Sequence, residues 1–487
     1  MKKNFLKDIS ASTIQVVLNQ ALGLLVFIII SRYLEKSIYG ELNWSLAILT
    51  FIFTTLSLRL EQIVVRKVAA GDDPSKMLTL FAGHALFTGL VFYLLLFVSS
   101  LLFPSFFKHH ELLLILAISQ LLNFISSPFK QIANGKEFFR LLAVMSSVSN
   151  LVRAVWLLWI VFFSVLTVQQ ILVIYIVSAL AELVVNMFIV RYKLNISASR
   201  WILKDYFLLL TESLPQISSV FLNACIARID WILLGIFSGT IITAEYSFAY
   251  KVFELCPIPL LILGPILLSR FSKYLAQNNE SALLNKKTEI GFFIRCEMIA
   301  ATCIPLVLNI VWVPLIDSIT NNKYGEVNKI NFLLLSLCLP FQYMNNLLWT
   351  VEFAQNRLGR IFRITAITCI IIVAGDLFMI PLLNARGAAI VYLAATITEY
   401  LIYIRLSIIR QVKESWYALL FCTGSMLLSF FAPSYITDVV SLRLLLSVII
   451  YCMLVLVTGQ IKKEDLQMIK EWLYKKQPVY IKNQALL

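Results

Sequence analysis

Fourteen times along the chain, about twenty consecutive residues are almost wholly apolar, the length a helix needs to cross a bilayer core roughly 30 Å thick. The 487 residues are 60% hydrophobic and only 14% charged, with a mean hydropathy of +0.85, outside the range of water-soluble domains. Hydropathy places spans near residues 11–31, 42–58, 77–102, 111–129, 141–164 and 168–190. A second six fall near 207–237, 243–269, 291–316, 330–353, 361–383 and 387–408, and two more near 415–432 and 440–460. The expected fold is therefore all-α and polytopic. Its units are a first six-helix lobe (1–190), a linker (191–206), a second six-helix lobe (207–410), two further helices (411–460) and a tail (461–487). Leu466, Ile469 and Leu473 give the tail one apolar face amid lysines, the pattern of a helix lying on a membrane surface.

The net charge of +14 could point to nucleic acid, but its distribution excludes that reading. Of 41 Lys and Arg, 31 fall in the segments on the same side as the N-terminus, seven on the other side, and three inside spans. That asymmetry predicts a bacterial cytoplasmic membrane protein with both termini inside, and attraction to anionic membrane lipids follows as a secondary effect. The opening "MKKNFLKDIS" resembles a signal-peptide n-region, yet the run after it is too long and holds Asn19 and Gln20, so we read span 1 as retained. All eight Cys fall within spans without a CxxC and read as small packing residues.

The two groups of six spans resemble each other. At an offset of 204 positions Asn19 falls on Asn223, Gly40 on Ala244 and Glu41 on Glu245, and with one gap "NGKEFFRLLA" from Asn134 matches "NRLGRIFRITA" from Asn356. Each group begins on the same side and contains an even number of spans, so the repeat is parallel, and a transport route is expected between the lobes.

Against that repeat the charges inside spans stand out. Arg228 and Asp230 of "LNACIARIDWILLGIFSG" correspond to Leu24 and Val26, and Lys251 and Glu254 to Ala47 and Thr50. An ionised side chain at the centre of a lipid-facing helix costs on the order of 2.5 to 3.5 kcal/mol, so these groups face protein or water. Their similar depth predicts a four-charge cluster in which Arg228 pairs with Glu254, or Asp230 with Lys251. Two uses stay open: a neutral network fixing helix register, or the wall of a water-filled cavity. An Arg beside a Lys suits phosphate oxygens.

Arg153 of span 5 is the expected cationic counterpart in the first lobe. Asp230, Glu254, Asp376 and Glu399 are expected candidates for a coupling proton or sodium ion, and Asn19 and Asn223 for substrate contact. Gln20 is weighed with Asn19 and Asn223, all three reading as interhelical hydrogen bonds or sugar contacts, and Glu182 and Glu352, nearer the cytoplasmic ends, are weaker candidates. Pro257, Pro259 and Pro265 predict a bend in span 8. No phosphate-binding glycine loop occurs, no His or Cys spacing suggests a metal, and no cofactor is expected. No loop exceeds about twenty-odd residues, which leaves no room for a soluble catalytic domain, so the chain does not read as an enzyme.

Three stretches, "SRYLEKSIYGELNWSLAIL", "RIDWILLGIFSGTIITAEYSFAYKVFE" and "NGKEFFRLLAVMSSVSNLVRAV", resemble the polysaccharide transporter branch of the multidrug, oligosaccharidyl-lipid and polysaccharide exporter superfamily. The resemblance implies two lobes in a V-shaped arrangement around a cationic cavity. It implies a flippase that carries an undecaprenyl-pyrophosphate-linked oligosaccharide, an O-antigen, capsule or exopolysaccharide repeat unit, across the membrane. Polyprenyl-pyrophosphate-linked glycan is then the substrate, and glycan polymerase and chain-length machinery are the implied partners. The sequence departs from the family at Leu34 to Lys36, where "LEK" replaces the usual "LGP". The Arg-rich first span of lipid II flippases is missing here. Two competing classes are a multidrug or cation antiporter of the same superfamily and a membrane-embedded polysaccharide polymerase.

Overall fold

A computed structural model describes residues 19–260, 264, 267–268, 271, 287–462 and 465. The expected surface helix of the tail, Pro265 and the first eighteen residues lie outside them. The described chain is a multi-pass membrane protein built from helices. Ten are long and apolar enough to cross a bilayer, or eleven if one bent pair is counted as a single span.

The first lobe comprises α1 (Asn19–Tyr33), α2 (Lys36–Leu56), α3 (Leu60–Ala70), α4 (Pro74–Leu102), α5 (Pro104–His109), α6 (Glu111–Gly135), α7 (Phe139–Phe163) and α8 (Val168–Phe188). Two of the starts have a side-chain cap. Asp73 accepts from the Ser75 amide ahead of α4, with Pro74 in the first turn, and Thr167 and Gln170 close a capping box ahead of α8, satisfying amides that would otherwise lack partners. Helices α2 and α3 form the bent pair, turned by 45° at their break. Leu58 and Arg59 at the break adopt positive φ, a conformation no helix propagates.

The second lobe comprises α9 (Leu203–Phe237), α10 (Gly239–Phe253), α11 (Lys287–Thr320), α12 (Gly325–Ser336), α13 (Leu339–Ala354), α14 (Leu358–Leu383) and α15 (Ala385–Leu406). Expected span 8 is represented by α10, which ends at Phe253 with Pro257 four residues on, as a residue without a backbone N–H dictates. Expected span 10 is two helices, α12 and α13, parted at Leu337 and Cys338. Helices α16 (Glu414–Phe431) and α17 (Val440–Val457) rest on α11 through Tyr451, bonded to Thr302 at 2.6 Å, and through the buried Arg295, paired with Asp465 and Glu414.

The lobes meet where α1 ends and α2 begins. Asn43 donates to Ser247 at 2.9 Å, a separation of 204 residues, the repeat offset itself, so this bond lies on the axis that relates the lobes. Gly40 abuts the Thr240 carbonyl, where no larger side chain fits. Lys36 pairs with Glu245 at 2.7 Å, Trp44 donates to the Ile232 carbonyl at 3.1 Å, and Lys323 donates to the Arg32 and Leu34 carbonyls. Hydropathy starts span 2 at residue 42 because Lys36 and Glu41 lower the average. The helix begins six residues earlier because its polar first turns contact the other lobe.

Helix α9 belongs to both halves. Its first turns pack on the first lobe: Leu209 joins that lobe's core, Tyr206 bonds His84 at 2.9 Å, and Glu212 pairs with Lys67 at 2.9 Å and Arg66 at 3.3 Å. Beyond Pro215, inside the helix, it packs on α2, α10 and α14.

Candidate functional site

Between the lobes, α1, α2, α6, α7, α8, α9 and α10 enclose a cavity of about 300 Å³. Arg153, Arg228 and Lys251 all line it. They reach it because α7 supplies Arg153 from one lobe while α9 and α10, joined by a tight turn at Ser238 and Gly239, supply the other two at similar depth.

Arg228 donates to Glu254 Oε1 at 2.9 Å, and Lys251 donates to Glu254 Oε2 at 2.8 Å. One carboxylate therefore serves two cations, and Arg228 also lies over the Trp231 ring at 4.9 Å. Glu254 sits just past the C-terminus of α10, where the break in span 8 ends the helix. Arg153 has a neutral setting. It donates to the Ser178 hydroxyl at 2.8 Å and lies over the Tyr175 ring at 4.3 Å, a favourable stacking for a guanidinium.

Asp230 does not join the four-charge cluster expected from the sequence. It is 2% exposed, accepts from the Trp231 amide and the Tyr246 hydroxyl, each at 2.8 Å, and is absent from the cavity wall. Two residues along a helix differ by about 200° in direction, so with Arg228 in the cavity Asp230 points into the second lobe. There it lies near Asp376 of α14, which is 1% exposed with neither carboxylate oxygen partnered among the described residues. Glu399 of α15 accepts from Asn345 at 3.2 Å.

Asn19 lines the cavity and accepts from Asn150 at 2.6 Å. Asn223, its repeat counterpart, does not line the cavity: it is exposed on α9 and bonds the Ser219 carbonyl one turn back. Gln20 faces the cavity. Glu182 and Glu352 are held elsewhere by Lys130 and Arg360.

Sequence reasoning missed Gln120, Asn150, Tyr175 and Trp231 of the cavity wall. Asn150 could have been found, since it lies three residues before Arg153 and shares its helix face. It also missed Glu297 of α11, inside the expected span 291–316 and fully buried with both oxygens unpartnered among the described residues. No group of three or more potential metal ligands occurs among the described residues.

The cavity lies between two lobes related by a parallel repeat, with cations supplied by both. The family model described as "Polysaccharide biosynthesis protein" matches residues 5–269. The chain belongs to that family. Solved structures agree on the fold. A lipid II flippase, MurJ, in an inward closed conformation superposes with a TM-score of 0.72, at 14% identity over 94% of this chain and 99% of its own. A Vibrio cholerae MATE transporter, VcmN, gives 0.55 at 13% identity over 85% and 98%. A multidrug-and-polysaccharide-exporter superfamily transporter from Pyrococcus furiosus gives 0.59 at 12% identity over 87% and 96%. No curated protein matches. The chain is thus a member of a polysaccharide-biosynthesis family with the fold of these transporters.

Proposed function

We propose that the protein flips an undecaprenyl-pyrophosphate-linked oligosaccharide, an O-antigen, capsule or exopolysaccharide repeat unit, from the cytoplasmic to the outer leaflet of a bacterial inner membrane. The observation that carries the reading is the cavity in which Arg153, Arg228 and Lys251 face one space, while among the described residues Glu254 is the carboxylate that pairs with two of them. Guanidinium and ammonium donors are suited to phosphate oxygens, and the cavity opens between lobes that can rock. The headgroup passes through it while the polyprenyl tail stays in lipid. With both termini in the cytoplasm, the bonded face described above is periplasmic.

Ion coupling in this reading falls to the second lobe. Asp230 and Asp376 form a buried acidic pair outside the substrate cavity, so a coupling proton or sodium ion bound there changes the charge of one lobe without competing for substrate. Glu399 is a further ion-coupling candidate. Glu254, already holding two cations, is the group that releases Arg228 when a pyrophosphate arrives.

Deleting the gene tests the proposal: lipid-linked repeat units accumulate on the cytoplasmic leaflet and surface glycan is lost, whereas normal surface glycan overturns the reading. The drug or cation antiporter is the second reading, since MATE transporters share the fold. A cavity with surplus positive charge disfavours it, and unchanged drug susceptibility in the deletion strain excludes it.

A further inference from the structure

The cavity's polar groups fall into two sets with different chemistry. One is ionic: three cations, Arg153, Arg228 and Lys251, against one carboxylate, Glu254, which leaves two positive charges uncompensated among the described residues. The other is neutral, and its amides lie on the first lobe: Asn19 and Gln20 of α1, Gln120 of α6 and Asn150 of α7, besides Asn43 of α2, which is already bonded to Ser247.

Two uncompensated charges are a specification. A sugar-bearing pyrophosphate diester carries two negative charges at neutral pH, one per phosphorus, and neutralises the surplus. A third negative charge on the adjoining sugar would enter the cavity without a cation, and an unpaired ion in a low-dielectric enclosure is strongly disfavoured. The amides match a different ligand. Each both donates and accepts, as hydroxyl and acetamido groups do, whereas a carboxylate only accepts. The bond from Asn150 to Asn19 at 2.6 Å fixes both amides and leaves the Asn150 carbonyl oxygen and the Asn19 amino group without a partner among the described residues. Trp231 adds an indole N–H that is buried and unpartnered among the described residues.

We propose that the cavity is a two-part specificity site, in which Arg153, Arg228 and Lys251 hold the pyrophosphate and the amide wall of Asn19, Gln20, Gln120 and Asn150 reads an uncharged sugar attached to it. The proposal rests on the flippase reading and adds the class of the first sugar and the residues that select it.

The test uses the full-length purified protein and measures binding of the bare lipid as the methyl diester of undecaprenyl pyrophosphate, which carries the same two charges as a glycolipid, of four lipids carrying glucose, galactose, N-acetylglucosamine or N-acetylgalactosamine, and of the galacturonate lipid. At least one neutral glycolipid binds ~10-fold more tightly than the bare lipid, and the galacturonate lipid binds at least ~10-fold more weakly than its galactose counterpart, the scale expected when buried polar groups are matched or left unmatched. Asn19→Ala, Asn150→Ala and Gln120→Ala remove the gain from the sugar, lowering neutral-glycolipid binding at least ~10-fold more than they lower binding of the bare lipid. A purely structural role would weaken both alike. Should the Asn variants not fold, Gln120→Ala alone decides, because its side chain joins no described hydrogen bond between helices. Galacturonate binding as tight as galactose overturns the charge argument, and a sugar gain that survives all three substitutions overturns the amide wall. If the bare lipid and every glycolipid fail to bind, the flippase reading itself fails.

Discussion

Helices α1 and α9 start from one pattern and end with different tasks. Leu24 and Val26 of α1 both line the cavity as apolar wall, while at the matched positions α9 places Arg228 in the cavity and Asp230 in the interior of the second lobe. The second repeat match carries the contrast to α7 and α14, where Arg153 falls on Asp376: the first-lobe residue is a cation in the cavity, the second-lobe residue a buried acid outside it. The fold itself requires none of these charges, because its other half does without each one. The symmetric scaffold supplies two lobes that pack on an axis; the asymmetric charges supply the chemistry.

The comparison breaks most sharply at Arg228. Arg228→Ala should lower glycolipid translocation in inverted membrane vesicles by about 100-fold, corresponding to ~3 kcal/mol for removing one partner of a desolvated charge pair, with unchanged membrane insertion. Leu24→Ala at the matched position should stay within about 2-fold. Equal losses at both positions would show that Arg228 matters only as packing.

Asp376 sharpens the division of labour between the lobes. Asp376→Asn should leave substrate binding intact and reduce the stimulation by an imposed proton or sodium gradient by about 10-fold, since an amide can no longer exchange its charge. The purified variant should also melt higher, because a buried carboxylate without a partner has been removed. A gradient response equal to wild type would take ion coupling away from this pair.

At the axis the lobes are alike, and the prediction there is of shared geometry. Gly40→Val drives a side chain into the Thr240 carbonyl and should keep the bonded face from closing. A cysteine placed at Asn43 in a cysteine-free background should then label about 5-fold faster than in the Gly40 protein, as expected for a population shift of ~1 kcal/mol.

The smallest effect concerns acidity at that face. His110 stacks beside Trp44 with ring centroids 4.5 Å apart, and burial, followed by repulsion from His109, holds its imidazole below the ordinary value of 6.5. The bonded state therefore binds fewer protons: its packing is at full strength above pH 6.5 and weakens as the pH falls below it. Acidification from pH 7.5 to 5.5 should shift the Asn43 labelling rate upward by about 2-fold, and His110→Phe should abolish the shift.

Much of this protein was legible in one dimension because a bilayer admits few solutions: twenty apolar residues can only be a helix. The repeat and the expectation of a route between lobes were equally legible, since offset identities such as Gly40 on Ala244 and Glu41 on Glu245 survive in the letters. So was the identity of the cavity cations, because an intramembrane Arg or Lys is rare and costly.

Direction and partnership were not. The sequence put Asp230 within reach of Lys251, and only packing turned it toward Tyr246 and Asp376. It rated Asn19 and Asn223 alike, and only the tertiary structure set one in the cavity and the other on an exposed face. It did not single out Gln120, because an amide in a span has no signature until its neighbours are known, and Asn150 could be picked out only through its spacing to Arg153. The chain by itself determines which residues can cross the membrane and which cannot rest in lipid. Which of those reluctant residues meet substrate, and which meet each other, depends on helix rotation, fixed by contacts hundreds of residues apart such as Arg32 with Ile319 and Asn43 with Ser247.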